Sequence, residues 1–370
     1  MKLALRELRR RPGRFALAAV ILTLIALLLM FLGGLLDGLI GSQTGAYRAQ
    51  DADLIVYSDT ARESLVRSRI DPDLRSRVEA VDGVTAAGGL GSVQLGARPG
   101  GQPDSRDLLA TVVLGYELAP RGLPADPPIK GTVIADDSLK ADGIAKGDIL
   151  LLGPQRSEVK VVGFVDDTSY AGQASLWASL DTWREVLNDN RPGLNPGDTV
   201  QALVVQVDGD AGKVAGAIDA ATDGATGTLT IAAATEALPG VAQQRATFNQ
   251  IIGVTVAIAV VVVGLFFALI TVERTALYGI LKAVGASNAT LGIGLVTQAV
   301  VVTLFASAIG VMGSLAIEAL IPVGTIPFSI SVSRLLTSVG LLLLASVAGS
   351  AFSLRRILRI DPASAIGASS

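Results

Sequence analysis

Apolar and polar positions are spread unevenly along the chain. Four runs without a single charged residue stand out, at 15–36, 251–272, about 291–316 and 335–354. Each is long enough as a helix, at about 1.5 Å per residue, to cover a hydrocarbon layer of about 30 Å. None alternates to a polar face every three or four positions, as a helix on a soluble surface does. The pattern predicts four membrane spans in a one-plus-three order. The third run is longer than a span needs and extends over 287–317. The first is too long for the apolar stretch of a cleaved leader, usually about 7–15 residues, and no small-x-small site follows it, so it reads as a retained anchor.

Between the first and second spans the pattern becomes that of a folded α+β domain over 43–248. A strand is expected at 53–57. A helix follows, with Asp71 as its cap, Pro72 in its first turn and Leu74, Val78 and Val81 on one face. Gly83 ends it, and a Gly-rich strand region covers 84–95. The same succession recurs with a strand at 200–207, a helix at 211–221 and a strand at 228–232. Two β-α-β units, near 50–96 and 199–235, therefore flank a mostly β insertion over 108–180, with short β-branched runs at 132–135, 148–152 and 159–165. Gly/Pro-rich loops are expected at 96–105 and 188–198. Trp177 and Trp183 fall inside the domain and read as core residues.

Charge gives this layout a direction. The first 14 residues carry six basic side chains against Glu7, whereas 37–248 carry 18 basic and 29 acidic ones. Arg274 and Lys282 face Glu273 in the turn between the second and third spans, and Arg355, Arg356 and Arg359 face Asp361 in the tail. The excess of Lys and Arg places both termini and the 273–290 turn in the cytoplasm and the domain outside the cell (plasma or inner) membrane. On this layout residues 1–14 are a cytoplasmic amphipathic segment, 15–42 the first span with an outer extension, 249–272 the second span and 291–320 the third. An outside loop follows at 321–334, then the fourth span at 335–354 and a cytoplasmic tail at 355–370.

The chain has no cysteine and no histidine. That removes disulfides, Ser-His-Asp and Cys-His catalysis and the usual zinc site. No Gly-x-x-x-x-Gly-Lys-Ser/Thr loop occurs, so the chain has no Walker-type ATP site, and no catalytic residue or metal site is expected. The carboxylate pairs Asp136-Asp137 and Asp166-Asp167 are sequence neighbours, which point apart on a strand, and read as turn residues. Gly34, Gly38, Gly41 and Gly45 recur at helical spacing, as expected of a close contact with another helix, either in a two-fold dimer or among the protein's own spans. Glu318, near the end of the third span, is a charge close to membrane depth and a candidate for function.

The 273–287 turn reads Glu-Arg-Thr-Ala-Leu-Tyr-Gly-Ile-Leu-Lys-Ala-Val-Gly-Ala-Ser. It resembles the intracellular segment of the MacB/FtsX-type ABC permeases, in which Glu-Arg-x-x-Glu-Ile-Gly-Ile-Leu-Lys-Ala-Leu-Gly-Ala-Ser is typical. It departs at Leu277, where that pattern has an acid. Leu5-Arg6-Glu7-Leu8 and Arg359-Ile360-Asp361-Pro362-Ala363 are similar to the two ends of the same family. Independently of the resemblance, Ile280, Leu281, Ala283 and Val284, closed by Gly285, form an apolar ridge that can fit a groove on a partner or rest on lipid headgroups. The resemblance implies that Glu273, Arg274, Tyr278, Gly279, Ile280, Leu281, Lys282, Ala283, Val284, Gly285 and Ala286 meet a separate cytoplasmic ABC ATPase. It further implies a homodimer with two ATPase copies, which carry the ATP and Mg, and mechanotransmission from ATPase to outer domain. The layout is also similar to haem-efflux permeases of the HrtB type. Haem as cargo would need Met, Tyr or carboxylate ligands, for which Met30, Asp37 and Tyr47 are candidates. Macrolides, peptides and lipoproteins are alternative cargoes. An FtsX-like role, activating an extracellular partner without transport, is a further alternative.

Overall fold

The computed structural model describes residues 12–101, 107–194, 196–273, 275–321 and 326–358. Residues 1–11 of the amphipathic N-terminus, Arg274 and the tail from 359 onward lie outside them. The chain divides into two compact units. One holds the chain up to Gly38, Arg245–Ile321 and the chain from Phe328 onward; the other holds Leu39–Gln244 and Pro322–Pro327.

Helix α1 runs from Pro12 to Arg48 and so continues a full 12 residues past the first apolar run. The interhelical domain begins on its last turns. Its elements are β1 (Leu54–Ser58), α2 (Pro72–Glu79), β2 (Val84–Pro99), β3 (Leu109–Tyr116), β4 (Thr132–Asp136), β5 (Ile149–Leu152), β6 (Ser157–Val165), β7 (Ala174–Ser179), α3 (Leu180–Asn190), β8 (Ala202–Val207), α4 (Ala211–Ala221), β9 (Thr226–Thr230) and α5 (Ile231–Ala237).

The two β-α-β units interleave. Strands β2-β8-β1-β9 form an antiparallel array in which β1 pairs with β8 and β9 and β8 also pairs with β2. This is the split β-α-β arrangement. Alternation along β1 shows why Leu54 to Tyr57 are apolar or aromatic without a break. Leu54 and Val56 join the cluster holding Val78 of α2 and Val214, Ala215 and Ile218 of α4. Ile55 and Tyr57 join Ala46 and Tyr47 of α1 and Ala234 of α5 on the opposite face. A strand buried on both faces needs side chains of that kind at every position.

The insertion is a closed barrel. Strands β3-β7-β4-β6-β5-β2 follow one another, and β2 pairs back to β3. The 16 residues of β2 serve both parts: Val84–Leu90 lie against β8, Leu90–Ala97 against β3 and Ala97–Pro99 against β5. The loop expected at 96–105 is corrected here, because Gly96 and Ala97 still pair with Ala110 and Leu109. The strand expected at 228–232 lies at 226–230, because Thr230 accepts from Ala233 N (3.2 Å) and starts α5. Helix α3 takes the first residues of the loop expected at 188–198. Ser179 caps it (3.3 Å to Thr182 N), and Leu180, Trp183 and Leu187 are buried at helical spacing. Gly115 makes room for the Trp183 side chain, since a Cβ there would lie 2.7 Å from it.

In the other unit the long helices are α1 up to Gly38, α6 (Val241–Glu273) from Arg245 onward, α8 (Asn288–Leu320) and α9 (Val332–Leu358), with the short α7 (Thr275–Ala283) between α6 and α8. Glycines set the close crossings. A Cβ on Gly310 of α8 would lie 2.8 Å from Ala26 Cβ of α1, and one on Gly349 of α9 would lie 2.6 Å from Val260 O of α6. Close approach through small residues is how helices associate where lipid offers no hydrophobic driving force. The outward faces are apolar too: Leu17, Val20, Leu24 and Leu28 on α1, and Ile251, Val254, Ile258, Val261, Leu265 and Leu269 on α6, are exposed. Among the described residues four helices are long and apolar enough to span a membrane. Helices apolar on all sides suit lipid, where their backbone groups are satisfied internally.

Candidate functional site

Helix α7 is short, amphipathic and fixed at its C-terminal end. That end is closed by paired hydrogen bonds from Ala286 N to Leu281 O (2.9 Å) and Gly285 N to Lys282 O (3.0 Å). This is the Schellman arrangement. It needs a left-handed backbone, and Gly285 takes φ of 101°. Ser287 then caps α8, accepting from Thr290 N (3.1 Å). Only a few residues separate α7 from α8, and each of these two helix ends is closed by its own cap.

The two faces of α7 differ. Tyr278 is buried, and with half-buried Leu281 and Ala286 it packs into the cluster of Phe267 and Ile270 from α6 and Leu291 and Leu295 from α8. Gly279 is buried on the same side. On the other face Leu277 is 44% exposed, Ile280 52% and Val284 82%. These three positions, at i, i+3 and i+7, lie on one stripe of the helix. Glu273, Ala283 and Gly285 are exposed and Lys282 half-buried beside it. The ridge expected from Ile280, Leu281, Ala283 and Val284 is thus divided, with Leu281 turned inward. Leu277 takes a place on the outward stripe, which its spacing from 280 and 284 could have shown.

The candidates elsewhere fall into separate places. Gly34 is covered by the chain's own Phe328 and Ile330, 2.8–3.1 Å from a Cβ built there, and Ser329 N donates to Gly34 O (3.2 Å). Gly38 is buried and Gly41 half-buried. Gly45 lies against the backbone of Asp167 and Ser169. Gly34 and Gly45 therefore serve packing within the chain, one in each unit.

Asp37 accepts from Arg334 through Nε (3.1 and 3.2 Å) and Nη2 (2.5 Å), and from Ser331 Oγ (3.2 Å). Gly33, one turn before Asp37, leaves the space in which the Arg334 stem lies. Phe31 stacks on Phe328 at 5.4 Å, and Glu318 accepts from Ile330 N (2.9 Å). Segment 328–334 is thus tied to α1 and α8 by an aromatic contact, an ion pair and a capped amide. Arg334 had no place in the sequence reading; as the one charge within the described part of α9 before its last turns, it carried a signal.

Met30 is fully buried in its helix bundle. Tyr47, in the domain, accepts from Tyr57 Oη (2.9 Å), and its ring lies 5.4 Å from that of Tyr170. Burial raises the Tyr57 and Tyr170 hydroxyls above the ordinary tyrosine range and pushes Tyr116 up to about 12. Asp136 is 2% exposed and fully engaged by hydroxyls and amides, whereas Asp137 is raised by burial and then by the Asp136 carboxylate. Among the described residues no group of His, Cys, Asp or Glu could hold a metal ion.

Residues 249–362 match the family described as FtsX-like permease C-terminal. Among solved structures, the periplasmic region of MacB from Actinobacillus actinomycetemcomitans is similar at 11% identity and a TM-score of 0.35, covering 50% of this chain and 91% of that one. The extracellular domain of the noncanonic ABC-type transporter YknZ from Gram-positive bacteria is similar at 13% identity and a TM-score of 0.32, covering 48% of this chain and 100% of that one.

Proposed function

We propose, from the premise that the chain is a permease of the MacB/FtsX type, that it couples a separate cytoplasmic ABC ATPase to its interhelical domain by mechanotransmission. The observation that carries this is α7, with one face packed on α6 and α8 and the other a bare apolar stripe of Leu277, Ile280 and Val284. An apolar ridge on an anchored helix suits a groove on a soluble partner, and movement of the ridge would be felt by α6 and α8 together. ATP and Mg belong to the partner. The domain then lies on the far side of the cell membrane and both termini lie in the cytoplasm, in keeping with the charge bias.

The test is co-purification of the full chain with a candidate ATPase, with hydrolysis measured in lipid nanodiscs. Ile280→Asp with Val284→Asp should abolish both binding and stimulation while leaving the melting temperature of the chain unchanged. Retained binding would remove α7 as the docking element.

The working unit in this reading is a homodimer with two ATPase copies. The exposed face of α6, where Gly253 has open space around it, suits a second copy better than Gly34 or Gly45. The cargo in this reading is a hydrophobic compound. Haem as that compound would have to draw Asp37 from Arg334 or Tyr47 from Tyr57, and a Soret shift lost in Tyr47→Phe or Met30→Ala is the result that would establish it. The FtsX-like alternative, signalling to an extracellular partner without transport, uses the same α7 contact and differs only at the domain.

A further inference from the structure

Strands β6 and β7 are joined by a ribbon, residues 166–173, that lies along the last turns of α1. Backbone hydrogen bonds cross between them in both directions. Ala46 N donates to Ser169 O (3.1 Å), Ala171 N to Gln43 O (3.0 Å) and Gly172 N to Ser42 O (3.1 Å). Helices satisfy most of their backbone groups within their own ladder, so three sideways bonds fix the register of ribbon and helix as well as their distance. Gly45 permits the approach, because a Cβ there would lie 2.7–2.9 Å from Asp167 O, Ser169 O and Ser169 N. Arg48 closes the contact with two bonds to the Asp167 carboxylate (2.9 and 2.7 Å). From the β3–β4 connection, Arg121 binds the helix end, donating from N to Ala49 O (2.7 Å) and from Nη2 to Arg48 O (2.5 Å).

The ribbon does not hold this shape for want of alternatives. Its backbone has φ of 53° at Asp167, 52° at Ala171 and 74° at Gly172, and the first two residues carry a Cβ that disfavours that region. Asp136 imposes it. One carboxylate oxygen accepts from Thr168 N (3.2 Å), Thr168 Oγ1 (3.1 Å) and Ser169 Oγ (3.2 Å), and the other from Ser138 N (3.1 Å) and Ser138 Oγ (2.5 Å). A buried carboxyl group with five donors is a rigid fixture, because losing any donor leaves a buried acceptor unsatisfied.

We propose that this clasp is a rigid joint that passes displacement of α1 to the barrel, with Asp136 as the residue that positions the ribbon. The inference deepens the mechanotransmission reading and rests on it, but the joint itself can be measured without the ATPase. The natural chain has no cysteine, so spin labels can be placed at will in the full-length protein in nanodiscs. Labels at Leu39, where α1 enters the domain unit, and at exposed Ile129 should give one narrow distance distribution in the parent. The width should at least double in Asp136→Ala, and rise by a smaller factor in Arg48→Gln, which removes only an exposed contact. A Gln43→Cys, Ala171→Cys disulfide, formed before labelling in the Asp136→Ala background, should restore the parent width, which a merely destabilised barrel would not do.

With the ATPase added, an ATP-driven change in the distance between Ile129 and Leu336 should be lost in Asp136→Ala at unchanged hydrolysis, and kept in the disulfide-locked parent. A broad parent distribution, an unaltered width in Asp136→Ala, or loss of the ATP-driven change on locking would overturn the rigid joint. No ATP-driven change in the parent would instead remove the mechanotransmission reading, leaving the joint to be judged by the Leu39–Ile129 widths.

Discussion

Asp37 and Arg334 show how a single residue changes meaning once its partner is known. Alone, an acid at the end of a span suggests a ligand contact. Paired at 2.5 Å with both side chains about three-quarters covered, it is a fixture between α1 and α9. Removing one member of such a pair strands the other in a poorly solvated place, whereas removing both relieves it. We expect Asp37→Asn and Arg334→Met each to lower the melting temperature of the full chain, and the double variant to lose no more than either single. The coupling should be about 1–3 kcal/mol; additive losses would contradict the pairing. The domain's tyrosines make a prediction of a different kind. Tyr57, Tyr116 and Tyr170 are all raised in the folded protein, chiefly by burial. Their contribution to stability is therefore complete below the unfolded tyrosine value of about 10. It falls as pH rises through the folded values, about 12 for Tyr116. Alkaline titration should show tyrosinate absorbance and loss of domain structure appearing together above about pH 10. Tyrosinate forming while the fold stays intact would refute the burial argument.

The two faces of helix α7 lead to opposite expectations. Its inner face should behave as core and its outer face as surface. Tyr278→Ala should cost on the order of 3 kcal/mol, as for a buried aromatic side chain. Val284→Asp should leave the melting temperature unchanged and act only on partner binding. Elements whose boundaries depend on local chemistry were legible in the sequence. Asp71 accepts from Leu74 N (2.8 Å) and Pro72 opens α2, and Ala211–Ala221 has the bounds expected of it. The barrel was less legible, because its closure depends on β2 pairing with β3 and β5, and pairing across loops leaves no periodic trace. Helix α3 was missed although Ser179 and the 180–183–187 spacing mark it. The outward stripe on α7 was half legible, since Leu281 and Ile280 are adjacent and only packing decides which turns inward.

For the whole molecule, the distribution of charge yields an orientation that can be measured directly. Ile129 is 78% exposed in the domain and Val284 82% exposed on α7. As single cysteines, the first should react with an impermeant maleimide in intact cells and the second only after permeabilisation; the reverse result would invert the proposed topology. The order of pairing in the domain bears on how the chain is made. The barrel strands occupy one stretch of sequence, 84–179, and can close once that stretch has emerged. Strand β1 is different. Its pairs are β8 and β9, so Leu54–Ser58 waits for residue 230. Until β8 emerges at residue 207 this mostly apolar strand has neither partner, and from there to residue 230 it lacks β9; an unpaired apolar strand is the state in which nascent chains misassociate. The expected hazard of biogenesis in this protein is therefore local to β1, and a chaperone holding the emerging domain would be needed most between the synthesis of β1 and that of β9.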